Sequence, residues 1–223
     1  MDLTRKELKK IFLENEITKK YSINLIEDYI EFYLENEHFN LKFYFRLQFY
    51  SLLTLQTFTI SLKKLESEFK HLVIDDLRGY YNNYIDLNPR KFYPTDHSFS
   101  KDIQSKEELD EFLSDFYLCL NFYETEIFPK LTDIHFLADY VGSVPFENAL
   151  EIVVGGTYPV TFFKKLAILK WGNHPRYEEY KQGLATFIEE DFLDPKYQQE
   201  APLYKKGFEK LIYHLENEPN PFL

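Results

Sequence analysis

The chain has one cysteine, and its first 78 residues hold neither glycine nor proline. A single thiol, Cys119, excludes an intramolecular disulfide and any multi-cysteine metal site. It sits in the apolar run Phe116-Tyr-Leu-Cys-Leu120. That setting predicts a buried thiol acting as a small hydrophobe, not a nucleophile, which needs an electropositive and accessible place. All seven glycines and all ten prolines come later, from Gly79 and Pro89 onward. The front third therefore lacks the strongest punctuators of chain structure and must turn on Asn, Asp, Ser or Glu. No stretch approaches the ~18 uncharged apolar residues of a membrane span. Met1-Asp-Leu-Thr-Arg5 lacks the apolar core of a signal peptide. The expected compartment is the cytoplasm, with no membrane partner.

Aromatic residues are plentiful, at 18% of the chain. Each large ring buries roughly 150–250 Å², so this composition supports a substantial core. Any rings left exposed would suit an aromatic groove or a patch for a second copy. The net charge is −11 and the pI about 5.1. Nucleic-acid binding wants clustered Lys and Arg and is not expected; a basic protein partner is compatible. A length of 223 residues suits one large domain or two small ones. The reading adopted is a single α+β domain over 1–223, divisible into a helix-plus-sheet part (1–100) and a helical part (101–223).

Thr4-Arg-Lys-Glu7 forms a capping box, predicting a helix over Leu3–Ile17. Ser22 is expected to cap a second helix, with Ile23, Ile26, Tyr29, Ile30 and Tyr33 along one stripe. Leu41, Phe43, Phe45, Leu47 and Phe49 then alternate, and Thr54–Leu62 is rich in β-branched and aromatic residues. These segments read as two antiparallel strands; the rival is one long helix over 39–72. Leu62–Val73 returns to helical spacing. Arg78-Gly79 and Asn82-Asn83 read as turns, Tyr80–Leu87 as a short strand, and Asn88–Ser100 as a loop. Ser105-Lys-Glu-Glu108 is a second capping box, opening a helix that should stop before Pro129. Further helices are expected over Thr132–Val141, Thr161–Lys170, Arg176–Glu189 and Leu203–Glu216, with Ile152–Pro159 as a loop. The fold class is α+β: N-terminal helices and a small antiparallel sheet, then a run of antiparallel helices.

Catalytic motifs are absent. The histidines at 38, 71, 97, 135, 174 and 214 include no His-x3-His pair, and only Asp133 and His135 offer close mixed ligands. Gly155-Gly156 belongs to no phosphate-loop pattern, although Lys164, Lys165 and a helix start near Thr161 would favour an anion. There is no Gly-x-Ser-x-Gly elbow. Asp75-Asp76 and Glu189-Glu-Asp191 are acid pairs of a kind common on solvated faces. No catalytic, metal or cofactor role is assigned to any residue.

Two places stand out. Lys101–Asp133 carries three lysines against nine acids, leaving −6. Glu107, Glu108, Asp110 and Glu111, with Asp115 one turn on, suit a helix N-terminus and would also steer a basic partner. The solvated-face reading stands beside the partner reading. Trp171-Gly-Asn-His-Pro175 places Trp171, His174 and Arg176 around a turn, which suits either a small pocket or a plugged helix junction.

An acidic helix stopping at Phe128-Pro129, a shorter helix over Leu131–Tyr140 and a helical pair over Lys164–Gly183 make a familiar layout. It resembles a loose group of uncharacterised bacterial α+β proteins, some of them found near polymorphic or contact-dependent toxin systems as immunity proteins. The resemblance implies a non-enzymatic inhibitor of a protein partner. The alternative is an enzyme or small-molecule binder with a pocket near Trp171 and His174.

Overall fold

The computed structural model describes residues 3–93 and 99–223. In chain order the elements are α1 (Arg5–Glu14), β1 (Ser22–Ile26), β2 (Tyr29–Glu35), β3 (Phe39–Gln48), β4 (Leu52–Leu55), β5 (Phe58–Leu62) and α2 (Lys63–Leu72). Then come β6 (Tyr81–Leu87), the short α3 (Pro89–Phe92), β7 (Ser100–Asp102), α4 (Lys106–Phe122), α5 (Ile134–Val141), β8 (Val154–Gly156), α6 (Val160–Trp171), α7 (Tyr177–Asp191) and α8 (Ala201–Asn217). The protein is α+β, with its antiparallel sheet strands concentrated in the N-terminal part and its helices in the C-terminal part. No helix among the described residues is long and apolar enough to cross a membrane.

The chain forms two compact units, each built from two segments: 1–61 with 86–130, and 62–85 with 131–223. In the first, β1, β2 and β3 make an antiparallel meander, β4 pairs with the second half of β3, and β7 pairs with β4. The alternation of β3 sends Leu41, Phe43 and Phe45 into the core. There Phe12 of α1 stacks on Phe45 at 5.0 Å, Phe32 stacks on Phe43 at 4.5 Å, and Phe116 of α4 meets Phe45 edge-on at 4.7 Å. Such offset and edge contacts are preferred by the ring quadrupole, worth ~0.5–1.5 kcal/mol each beyond area burial. Both capping boxes form, Thr4 with Glu7 and Ser105 with Glu108.

In the second unit α6 is the central helix, buried from Val160 through Leu169. Glycines set how close its neighbours come. A Cβ on Gly172 would lie 2.2 Å from the Ala138 methyl, and one on Gly207 2.5 Å from Leu77.

Several expectations are corrected. The segment from Ser22 is the β1–β2 hairpin, not a helix: Ile23, Ile30 and Phe32 are buried by strand alternation. Of the two readings of 39–72, strands hold through Leu62 and helix follows, the second expected strand being split into β4 and β5. Asn82-Asn83 lie within β6, and Val154–Gly156 of the expected loop pair with it. As expected, α4 stops before Pro129, which falls in a 3-10 turn after a wide turn over Tyr123–Ile127. In the expected Asn88–Ser100 loop, Asn88 caps α3 and β7 begins at Ser100; residues 94–98, including His97, lie outside the described residues.

Candidate functional site

Two hairpins of the first unit reverse direction without glycine. Ile26 pairs with Tyr29, leaving Glu27-Asp28 as a two-residue turn, and Glu27 has φ 45°. Gln48 pairs with Leu52, and between them Phe49 and Tyr50 have φ 51° and 61°. Left-handed backbone costs an L-residue ~1–2 kcal/mol, and bulky side chains seldom adopt it. Strain of this kind persists only where the surroundings fix it, and it concentrates at functional places. Here the Leu3 N–H donates to the Tyr50 carbonyl at 3.0 Å, tying the start of α1 to the strained turn.

Between these turns and the start of α1 lies a groove of ≈ 730 Å³. Leu3, Leu25, Leu47 and Phe49 supply its apolar lining. Arg5 and Lys6 line it from α1, and Glu27 and Asp28 from the β1–β2 turn. Its surroundings are unusually apolar for surface: Phe49 is 84% exposed, Tyr50 70%, Ile26 43% and Leu25 40%. Contiguous exposed apolar residues with charged neighbours mark interaction sites.

The acidic helix carries less free charge than its sequence suggests. Glu108 accepts from the backbone N–H of Gln104 at 2.7 Å and of Ser105 at 3.3 Å, completing the cap. Glu111 pairs with Lys101 at 2.6 Å. Glu107 is held below the usual carboxylate range, first by its own backbone N–H and then by the Ser105 hydroxyl. Glu107 and Asp110 are exposed, and Asp115 is half-buried. Cys119 is fully buried, which pushes its thiol up to about 12, out of reach of nucleophilic chemistry near neutrality.

Trp171, His174 and Arg176 each engage partners of their own. Trp171 packs on Phe222 at 5.3 Å, and its carbonyl accepts from the Asn220 amide at 2.7 Å. It lines a cleft of ≈ 190 Å³ with Glu68, His71, His214 and Glu218. His174 lies against Gly142, where a Cβ would come within 2.2 Å of the ring, and burial lowers its basicity. Its Nδ1 accepts from the Arg176 N–H at 3.1 Å, while the Arg176 guanidinium pairs with Glu179 at 2.8 Å. Among the described residues no three His, Cys, Asp or Glu side chains are placed to hold a metal ion.

The lysines near the expected helix start at Thr161 turn inward. Lys164 is fully buried and pairs with Glu66, which also accepts from the Tyr81 hydroxyl at 2.8 Å. Desolvation dominates for both partners, raising Glu66 and lowering Lys164. Lys165 donates to the Ala149 carbonyl at 2.6 Å and lies over the Phe162 ring, and burial lowers it to about 8.

The groove was not legible in the sequence because its lining comes from three separated segments. One signal pointed toward it: the hairpin tips fall in a glycine-free stretch, so other residues had to take the left-handed positions. Compared with protein-family models, with curated proteins and with solved structures, the chain matches none of them.

Proposed function

We propose that the chain is a protein-interaction module and that the groove between the hairpin tips of its first unit receives the partner. The single observation that carries this reading is the pair Phe49 and Tyr50, both strongly exposed and both held in left-handed backbone. Folding alone rewards neither property, since exposing rings forgoes burial and left-handed backbone costs energy. The partner fitting this surface presents an apolar segment with positive charge beside Glu27 and Asp28. A net charge of −11 supports a basic partner by drawing it in over distance. Glu107 and Asp110 add to that field. The specific form of this reading is an immunity-type inhibitor that covers the working face of a basic protein.

The test is capture by the tagged chain from its native lysate, with a Phe49→Asp, Tyr50→Asp double variant alongside. A stoichiometric basic partner, held by the native chain, lost by the variant and weakened as salt rises, supports the reading. Equal capture by both chains overturns the groove as the binding surface. Charge reversal at Glu107 and Asp110 should slow association at low salt while leaving dissociation nearly unchanged.

A further inference from the structure

We propose that β1 is a pairing edge for a second copy of the chain, extending the sheet across a two-fold axis at Asn24. Among the described residues β1 is the outermost strand of the meander, paired only with β2, and four of its five residues are exposed. Edge strands are usually guarded by charge, proline or shortness, because their free N–H and C=O groups template another strand. β7, which pairs with β4, is guarded: it has three residues, two of them Lys101 and Asp102. β1 is five residues of Ser-Ile-Asn-Leu-Ile, with neither charge nor proline.

Its flanks select the occupant. The strand is preceded by Lys19-Lys20-Tyr21 and followed by Glu27-Asp28. Antiparallel pairing of Ser22–Ile26 centred on Asn24 sets Ile23 against the second copy's Leu25 and brings the Lys19-Lys20 end of each copy beside the Glu27-Asp28 turn of the other. Ile23 is buried, and Leu25 shares its face by strand alternation, so the pairing continues the apolar side of the sheet. Lys20 already holds Glu124 at 2.6 Å and would sit between two carboxylates. A partner strand of uniform basic charge would meet Lys19 and Lys20 at one end; a second copy presents the opposite sign at each end. Two-fold symmetry makes every such contact count twice. Leu25 and Asp28 also line the groove, so Phe49, which lies outside the paired strand, tells the two readings apart.

Sedimentation over a concentration series tests it, at moderate salt so that the repulsion between two chains of −11 is screened. The native chain should move from one-chain to two-chain mass. Asp28→Lys and Lys20→Glu should each raise the dissociation constant on the order of ten-fold, each change acting at two contacts. The double variant should restore it, because the opposed charges are exchanged. Asp28 is exposed in a turn, so its substitution should leave the circular dichroism spectrum unchanged and gives a reading even if Lys20→Glu unfolds. One-chain mass at every reachable concentration overturns the proposal, as does an unchanged constant in Asp28→Lys. Phe49→Ala separates the two readings: it should weaken partner capture and leave self-association intact. Loss of self-association in Phe49→Ala alone would move the contact to the groove.

Discussion

All seven glycines lie in the second unit and none in the first. The second unit uses them to bring elements close: Gly142 makes room for the His174 ring, Gly183 for the Phe146 ring, and Gly207 for Leu77 and Phe163. The first unit turns its hairpins on Glu27, Phe49 and Tyr50 instead and carries the backbone strain at its surface. The cores differ as well. The first is a cluster of stacked and edge-on phenylalanines, whereas the second buries Lys164, Lys165 and Glu66. Among the described residues, three of the four left-handed non-glycine positions lie in the first unit and Asn173 in the second, while the buried lysines lie in the second and the first buries Glu31. Strain at a surface is available to a partner; desolvated charge in a core mainly restricts which packings are allowed.

The largest effect expected from breaking this contrast is in the second core. Glu66→Leu should remove about 3–5 kcal/mol of stability, because it leaves Lys164 buried and charged without its carboxylate. Adding Lys164→Met should recover most of it. Urea unfolding of the two variants checks both statements, and a mild single variant would show that the pair is not desolvated.

Lys165 gives the next largest effect, through pH. Burial lowers its pKa from 10.5 to about 8. Below about pH 8 both folded and unfolded chains hold the proton. Between about 8 and 10.5 the unfolded chain still holds what the folded chain has released, so this residue's contribution to stability rises with pH there. Lys165→Met should therefore raise stability near neutrality by about 1–3 kcal/mol and lose that rise. The difference between the two proteins, unfolded in urea at pH 7 and pH 10, isolates it from tyrosines that titrate in both. Parallel curves would refute it.

Gly183→Ala tests close packing. Its Cβ would lie 2.3 Å from the Phe146 ring, so the variant should lose about 1–3 kcal/mol despite the better helix propensity of alanine. Glu27→Gly tests the opposite case in the first unit and is the smallest change. Relief of left-handed strain, less the entropy of an added glycine, should stabilise by up to about 1 kcal/mol. A thermal melt that shifts upward for Glu27→Gly and downward for Gly183→Ala sharpens the comparison; the same sign in both would dissolve it.

Local chemistry was legible. Thr4 and Ser105 announced α1 and α4 through their capping boxes, and β3 showed its alternation. What failed was wherever two periods fit the same residues. Ile23, Ile26, Tyr29, Ile30 and Tyr33 satisfy a helical stripe, yet Glu27 breaks it by adopting φ 45°, a choice that tertiary pairing makes and sequence does not display. Gly155-Gly156 looked like loop because the pairing of Val154 with Ile85 reaches across 69 positions. Site residues followed the same division. The duties of Glu108 and Glu111 lie within a few turns of helix or one neighbouring strand, whereas Leu3, Leu25 and Phe49 meet only once the meander has formed.

The order in which the chain visits its two units also sets a clock. Leu62–Ile85 belongs with residues 131–223, so synthesis delivers α2 before the helices it packs among. The first unit has all its segments once residue 130 has emerged, while Glu66 must wait for Lys164, 98 positions later. At ~5–20 residues per second that wait is roughly 5–20 s. Throughout it the Glu66 carboxylate is better left hydrated than buried, so the ionic pair that ties α2 to α6 also delays the closure of the second core until its cation has been made.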